Sequence, residues 1–304
     1  MEYLLLQVLN GVQLGLLMFL LAAGLTLTLG IMDLVNLAHG SLYMMGAYIA
    51  WTLIGVTDSF VLGALLAVPA IFLLGVAVEI VVIRKLYARD HLTQVLATFG
   101  LILFFNELVR ALWGPAGKSI AVPPFLNRTI EILPGVPYPA YRFAIIVVGS
   151  VVAILLAWLV ARTRLGMLIR AGASNRRMIG ALGVNIELLF SLVFGLGAVF
   201  AGLAGLMAAP IASVRIGMGD DILILALVII VIGGIGSIKG AFIAAMVVGQ
   251  IDIVGRAFLP DILKTFMSSS AASSAAPAIS QVMVYVLMAA VLVWRPTGLF
   301  GPRT

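Results

Sequence analysis

Few side chains in this 304-residue sequence could do chemistry, and most of those sit inside apolar runs. The first group is Gly30-Ile31-Met32-Asp33-Leu34-Val35-Asn36-Leu37-Ala38-His39-Gly40, which interrupts a long apolar stretch. Polar groups at membrane depth are costly unless they face protein or water. A helix broken in this way can expose backbone groups to a solute near the bilayer midplane. Two readings stay open. One is a cytoplasmic turn between two ordinary helices with Asp33 and His39 solvated, which suits the charged Asp33. The other is a pathway lining, which suits Asn36, His39 and Gly40. A second break, Gly233-Gly234-Ile235-Gly236-Ser237-Ile238-Lys239-Gly240, has the same character, with Gly234 and Ser237 expected near the same route. Both breaks end in a base followed by glycine, a weak hint of internal duplication.

Acids within apolar sequence are candidate proton carriers, and Glu79 and Glu107 qualify. Each has a local base, however: Arg84 lies within two turns of Glu79, and Arg110 follows Glu107 at i,i+3. A structural ion pair is the expectation for both. The sequence has no cysteine, and its two histidines, His39 and His91, are far apart, so neither thiolate nor histidine-rich metal sites are expected.

The third group is the polar stretch from Thr163 to Asn185, too charged to cross lipid. Met178, Ile179 and Leu182 would share one face of a short helix there. Ser174 or Asn175 could cap that helix and Gly183 could end it. Such an amphipathic helix could lie on lipid or fill a groove on a partner.

The elements that must position these groups are membrane helices. Hydrophobic residues make up 63% of the chain and charged ones 10%, against roughly 25% charged in a soluble domain. The apolar blocks run about Leu4–Leu29, Leu34–Ile54, Phe60–Ile83, Val95–Trp113, Phe143–Val160, Leu188–Ala209, Ile222–Ile232, Gly240–Val254 and Ile279–Trp294. A crossing needs about 20 residues, so the seventh and eighth are short. The segments do not alternate polar and apolar, which argues against a barrel. The expected fold is all-α, a polytopic membrane protein with eight or nine transmembrane or re-entrant helices and residues 1–304 as a single permease domain. Met1-Glu2-Tyr3 runs straight into leucines without a signal-peptide pattern, and reads as the start of the first membrane helix. Between the fourth and fifth blocks, the proline-rich Gly114–Tyr141 could form a stiff external ledge or a mere connector, and Ser268–Ala276 reads as mobile low-complexity sequence.

A net charge of +6 raises the possibility of a nucleic-acid partner, but the bases lie scattered in short loops, and the membrane is their expected partner. The positive-inside bias puts Arg84, Lys85, Arg89, Arg162, Arg164, Arg170, Arg176, Arg177, Arg295 and Arg303 inside. Arg110, Lys118, Arg128, Arg142, Arg215, Arg256 and Lys264 then lie outside, with the N-terminus, and Lys239 is unassigned.

Five ordered motifs resemble one family over nearly the whole chain: Asn36-Leu37-Ala38-His39-Gly40-Ser41; Thr98-Phe99-Gly100-Leu101; Arg164-Leu165-Gly166 through Ala181-Leu182-Gly183-Val184-Asn185; Gly233-Gly234-Ile235-Gly236-Ser237; and Arg295-Pro296-Thr297-Gly298-Leu299-Phe300-Gly301. The chain resembles the H-type permease subunits of branched-chain amino acid ABC importers. The resemblance implies a bacterial plasma (inner) membrane protein working with a second related permease, two ATP-binding subunits and an extracytoplasmic solute-binding protein. It implies no cofactor in this chain, ATP being bound by the partner subunits. Under it, the substrate pathway is expected at Asn36, His39, Gly40, Thr98, Gly100, Gly233, Gly234 and Ser237. The 163–185 loop is then similar to a coupling helix that docks on an ATPase, with Arg164, Gly166, Arg170, Asn175, Arg176, Met178, Ile179, Leu182 and Gly183 as its residues. Relatives often carry an acid near Ser174–Asn175, where this chain continues with Arg176 and Arg177.

No G-x-x-x-x-G-K-[ST] loop occurs, in keeping with ATP chemistry elsewhere. Branched-chain amino acids are the expected solutes, with urea, short amides and other small carboxylates as alternatives. An ion-coupled secondary transporter working without ATPases would need buried acids along a pathway, and only Glu79 and Glu107 offer themselves. An intramembrane enzyme would need a paired Asp or a Ser/His arrangement; His39 and Ser41 are too close in sequence to share a helical face. The chain is expected not to be an enzyme.

Overall fold

Backbone in hydrocarbon has no water to bond to, so apolar runs of this length satisfy their N–H and C=O groups by coiling into helices. The computed structural model describes residues 2–133 and 135–301, save for the side chains of Leu133 and Arg176. Arg303 lies outside the described residues.

The helices are α1 (Glu2–Met32), α2 (His39–Thr57), α3 (Phe60–Val81), α4 (His91–Trp113), α5 (Ala140–Arg162), α6 (Arg164–Ala181), α7 (Ile186–Ala208), α8 (Met218–Gly233), α9 (Ile238–Leu263) and α10 (Ser269–Trp294). Among the described residues, seven are long and apolar enough to cross a membrane: α1, α3 with its 3-10 extension to Leu86, α4, α5, α7, α9 and α10. The apolar helices α2 and α8 are shorter, at 19 and 16 residues, so the expected count of eight or nine is approximate. The protein is an all-α polytopic membrane protein.

Two sequence expectations need correction, and one stretch gains a definite structure. The block taken as Gly240–Val254 continues to Leu263, making α9 26 residues long. Ser268–Ala276 is not a mobile loop but the start of α10, because Ser268 accepts from Ala271 N and the following alanines and serines continue the helix. The proline-rich stretch contains an antiparallel hairpin, β1 (Thr129–Leu133) and β2 (Val136–Pro139), with Ile130 opposite Tyr138. Tyr138 is anchored by its hydroxyl, which donates to Asn10 Oδ1 at 3.1 Å.

The chain forms two interleaved compact units. The first comprises residues 1–19, 122–151 and 227–304. In it, Gly11 and Gly15 of α1 meet Gln250, Ala245 and Met246 of α9, so this G-x-x-x-G spacing serves helix packing. The second comprises residues 20–121 and 152–226. Its centre is α7, packed on α2 and α3. A methyl added at Gly46 or at Gly205 would overlap backbone across the α2–α7 contact. Lipid tails leave little hydrophobic drive between helices, so close backbone approach through small residues holds this centre together.

Candidate functional site

The first break is built by a chain reversal. α1 ends at Met32, and Asp33 takes φ 53°, a left-handed conformation that aspartate tolerates better than most residues. The irregular return 33–38, which turns at 37–38, leads back along α1, so that His39 at the start of α2 brings Nε2 within 3.2 Å of the Leu21 carbonyl. Leu21 lies 32 − 21 = 11 residues before the end of α1, or roughly 16 Å along its axis. α2 therefore begins deep beside α1. Asp33 is exposed, as the turn reading expects, whereas Asn36 and His39 are each 1% exposed, which overturns solvation for His39.

Several polar atoms at this break have no hydrogen-bond partner: both amide atoms of Asn36, Nδ1 of His39 and Oγ of Ser41. Leaving such a group unsatisfied typically costs about 1–3 kcal/mol. Ala38 precedes α2 and offers no side-chain cap. Thr98 of α4 reaches the break, 3.5 Å from the Val35 carbonyl, although its closer bond is to Gln94 O at 2.9 Å. Gly100 is exposed on α4 with open space beside it, and is not brought to the group.

Facing Gly40 is a residue that sequence reasoning passed over. A methyl on Gly40 would overlap the carbonyl of Gly219, and one on Gly219 would overlap the carbonyl of Gly40. The starts of α2 and α8 thus touch backbone to backbone. α8 follows its own return, which passes the Lys118–Val214 bridge and turns at Gly217 with φ 79°. Asp221 pairs with Arg215 at 2.5 Å, while Asp220 accepts from the neutral Asn106 amide at 3.3 Å. The signal was present in Gly217-Met218-Gly219-Asp220-Asp221, two acids heading an apolar run.

The second break is different in kind and lies in the other unit. Residues 234–237 form a tight turn with Gly234 and Gly236 at φ 99° and 80°. Ser237 caps α9 by accepting from Gly240 N at 3.1 Å. Gly233 packs on Gly240, and Gly234 packs on Gly301. The tail closes over this turn: Leu299 N donates to Ile232 O at 2.9 Å and Phe300 N to Gly233 O at 3.0 Å. The His39-Gly40 and Lys239-Gly240 pairs therefore do not mark equivalent structures.

The polar loop folds as α6, locked at each end. Thr163 accepts from Gly166 N, and Gly166 sits so close to the Leu159 and Val160 carbonyls that no side chain would fit. Arg170 donates to Val160 O. The helix kinks at Asn175, which re-caps the second half by accepting from Met178 N at 3.0 Å. Gly183, at φ 87°, ends it. Arg164 and Arg170 are exposed; the Arg176 side chain lies outside the described ones. Met178 and Leu182 are 59% and 76% exposed, but Ile179 is 6% exposed. The three do not share one free face: Met178 and Leu182, four residues apart, point outward together, whereas Ile179, about 100° round the helix from Met178, points inward. A cleft of about 380 Å³ separates the end of α1 from α6, lined by Asp33, Ser174 and Arg177 among others.

Glu79 is fully buried and fully engaged. Its carboxylate accepts from Arg84 Nε and Nη2, from Tyr87 Oη at 2.7 Å and from Ser191 Oγ at 2.7 Å. Burial, with the bond to Glu79, pushes the Tyr87 phenol well above its ordinary pKa. Arg84 also pairs with Glu187 at the start of α7, which directly follows α6. Glu107 and Arg110 form an exposed i,i+3 pair at 2.9 Å. Both acids are structural ion-pair members, as their spacing predicted. Among the described residues, no three His, Asp or Glu side chains cluster as metal ligands.

Comparison with known proteins gives this arrangement its context. The family described as branched-chain amino acid transport system / permease component matches residues 7–292. The chain is 30% identical to the high-affinity branched-chain amino acid transport system permease protein BraD of Pseudomonas aeruginosa, covering 97% of this chain and 95% of the relative. It is 28% identical to the LivH permease protein of the corresponding Escherichia coli system, covering 98% and 96%. A probable LivH permease protein of Methanocaldococcus jannaschii is 26% identical over 94% of this chain and 89% of the relative. No solved structure matches. A multi-pass protein of the plasma membrane, the chain belongs to the family of branched-chain amino acid transport permease components.

Proposed function

We propose that this chain is a membrane-spanning permease subunit of an ATP-binding-cassette importer that moves branched-chain amino acids inward. It acts with a second related permease, two ATPase subunits and an extracytoplasmic solute-binding protein, and holds no cofactor of its own. The observation that carries this reading is end-to-end similarity to amino-acid permeases in a chain whose one polar helix presents Met178 and Leu182 outward. In it, α6 docks on an ATPase through Met178 and Leu182, with Arg164, Arg170 and Arg176 as further residues of the coupling helix. Gly166, Asn175, Ile179 and Gly183 hold the helix in shape. Asn36, His39, Gly40 and Thr98 line the pathway at the first break. Gly233, Gly234 and Ser237 shape the turn after α8, and Gly100 faces a neighbour.

Saturation of Glu79 by four donor bonds favours ATP drive over proton coupling, since a carrier acid must release its partners to exchange a proton. The test is uptake in proteoliposomes holding the assembled complex. Labelled leucine should accumulate only with internal ATP and liganded binding protein. Accumulation driven by a proton gradient without ATP would refute the reading, and uptake of urea but not leucine would reassign the solute.

A further inference from the structure

The unsatisfied atoms at the first break fall at one place. Asn36, His39 and Ser41 lie within six residues, each 1% exposed, and together leave an amide donor and acceptor, a ring nitrogen and a hydroxyl without partners. Native interiors rarely leave buried polar groups unpaired, so a concentration of them calls for a specific explanation. They also flank the start of α2, a 19-residue helix whose capping position is occupied by an alanine. An uncapped helix start presents N–H groups and partial positive charge, the environment an anion prefers.

Across the Gly40–Gly219 contact stands the opposite charge. Asp220 follows Gly219 directly, and its observed partner is the neutral Asn106 amide, whose own Oδ1 is buried and unpartnered. The neighbouring Asp221 pairs with Arg215, whereas among the described residues no ion pair reaches Asp220. Anion-seeking donors on one side of a side-chain-free contact thus oppose a carboxylate on the other. Because glycines alone form that contact, a small separation of α2 from α8 would open a gap between the two sets.

We propose that this junction recognises the charged end of an α-amino acid in transit, its carboxylate at Asn36 Nδ2 and Ser41 Oγ on the start of α2 and its ammonium at Asp220 on the start of α8, while His39, whose Nε2–H goes to Leu21 O, presents Nδ1 as an acceptor beside them. The inference rests on the importer reading. In the closed arrangement the donors are dry and idle; when the half-helices part, the zwitterion satisfies them. The aliphatic side chain of the solute plays no part in this contact, so the junction reads the end common to all amino acids.

The test uses the assembled importer in proteoliposomes with its binding protein, comparing wild type with Asn36→Leu, Ser41→Ala and Asp220→Asn. Each variant should lower leucine uptake by about tenfold, the loss of roughly one hydrogen bond to a charged group. Melting temperature and subunit assembly should match or exceed wild type in Asn36→Leu and Ser41→Ala, because removing an unpaired buried polar group relieves the closed state. A purely structural role would give the reverse, a lower melting temperature. Wild-type uptake in all three variants, or loss of uptake accompanied by lower melting temperature in all three, overturns the proposal. Failure of the wild-type complex itself to take up any amino acid would instead overturn the function on which it rests.

Discussion

The amide of Phe300 donates to the carbonyl of Gly233 at 3.0 Å, so the tail completes the end of α8. With the Leu299–Ile232 bond, it satisfies two of the carbonyls that a helix end leaves open. Removing residues 296–301 should cost about 2 kcal/mol, at roughly 1 kcal/mol per hydrogen bond. Gly298→Val should be more damaging than the deletion of one bond alone, since Gly298 has φ 80° and its added Cβ would press on Gly234. Thermal unfolding in detergent checks both, and an unchanged melting temperature on tail removal would show the contact to be idle.

Glu79 predicts a different kind of loss. Glu79→Ala removes the shared acceptor of Arg84, Tyr87 and Ser191, of which Arg84 keeps Glu187 and Ser191 keeps the Glu187 carbonyl, so it should destabilise the α3–α7 junction by about 3 kcal/mol. Glu79→Gln retains the shape and an acceptor, and should be milder. If Glu79 were a proton carrier, Glu79→Gln would instead abolish transport while leaving the melting temperature intact.

The exposed pair on α6 should behave unlike its inward neighbour. Burying a large aliphatic side chain in a partner cleft contributes about 1.5–3 kcal/mol, so Met178→Asp and Leu182→Asp should release the ATPases from a stable, inserted permease. Ile179→Asp should lower the stability of the permease itself, because Ile179 packs against its own chain. Co-purification of ATPase subunits, read beside melting temperature, separates these outcomes. Full ATPase binding by both exposed-site variants would remove α6 from the coupling role.

Membrane orientation is open to direct labelling, since the chain has no cysteine. Single cysteines at Arg89 and Ser270, both exposed, should react with an impermeant thiol reagent from opposite faces. Reaction of both from one face would contradict the arrangement drawn from the positive-inside bias.

What the sequence determined by itself was whatever depends on neighbours within a turn or two. Continuous apolar runs dictate helices in a membrane. Spacing alone placed Glu79 with Arg84 and Glu107 with Arg110, narrowed the cap within α6 to Ser174 or Asn175, of which Asn175 serves, and placed the Gly183 stop. These interactions close over short loops, so residue type and separation suffice to specify them. Tertiary structure decided the rest. Gly40 meets Gly219 across 219 − 40 = 179 residues, and His39 reaches Leu21 only because the return 33–38 runs back along α1. Which edge of the apolar stripe on α6 faces the protein was likewise settled in three dimensions, Ile179 inward and Met178 and Leu182 outward, and the tail found α8 across two intervening helices of sequence. The polar start of α2 and the acidic start of α8 look like ordinary loop polarity in one dimension. They become a candidate recognition site only when backbone approach, permitted by two glycines and nothing larger, brings them face to face.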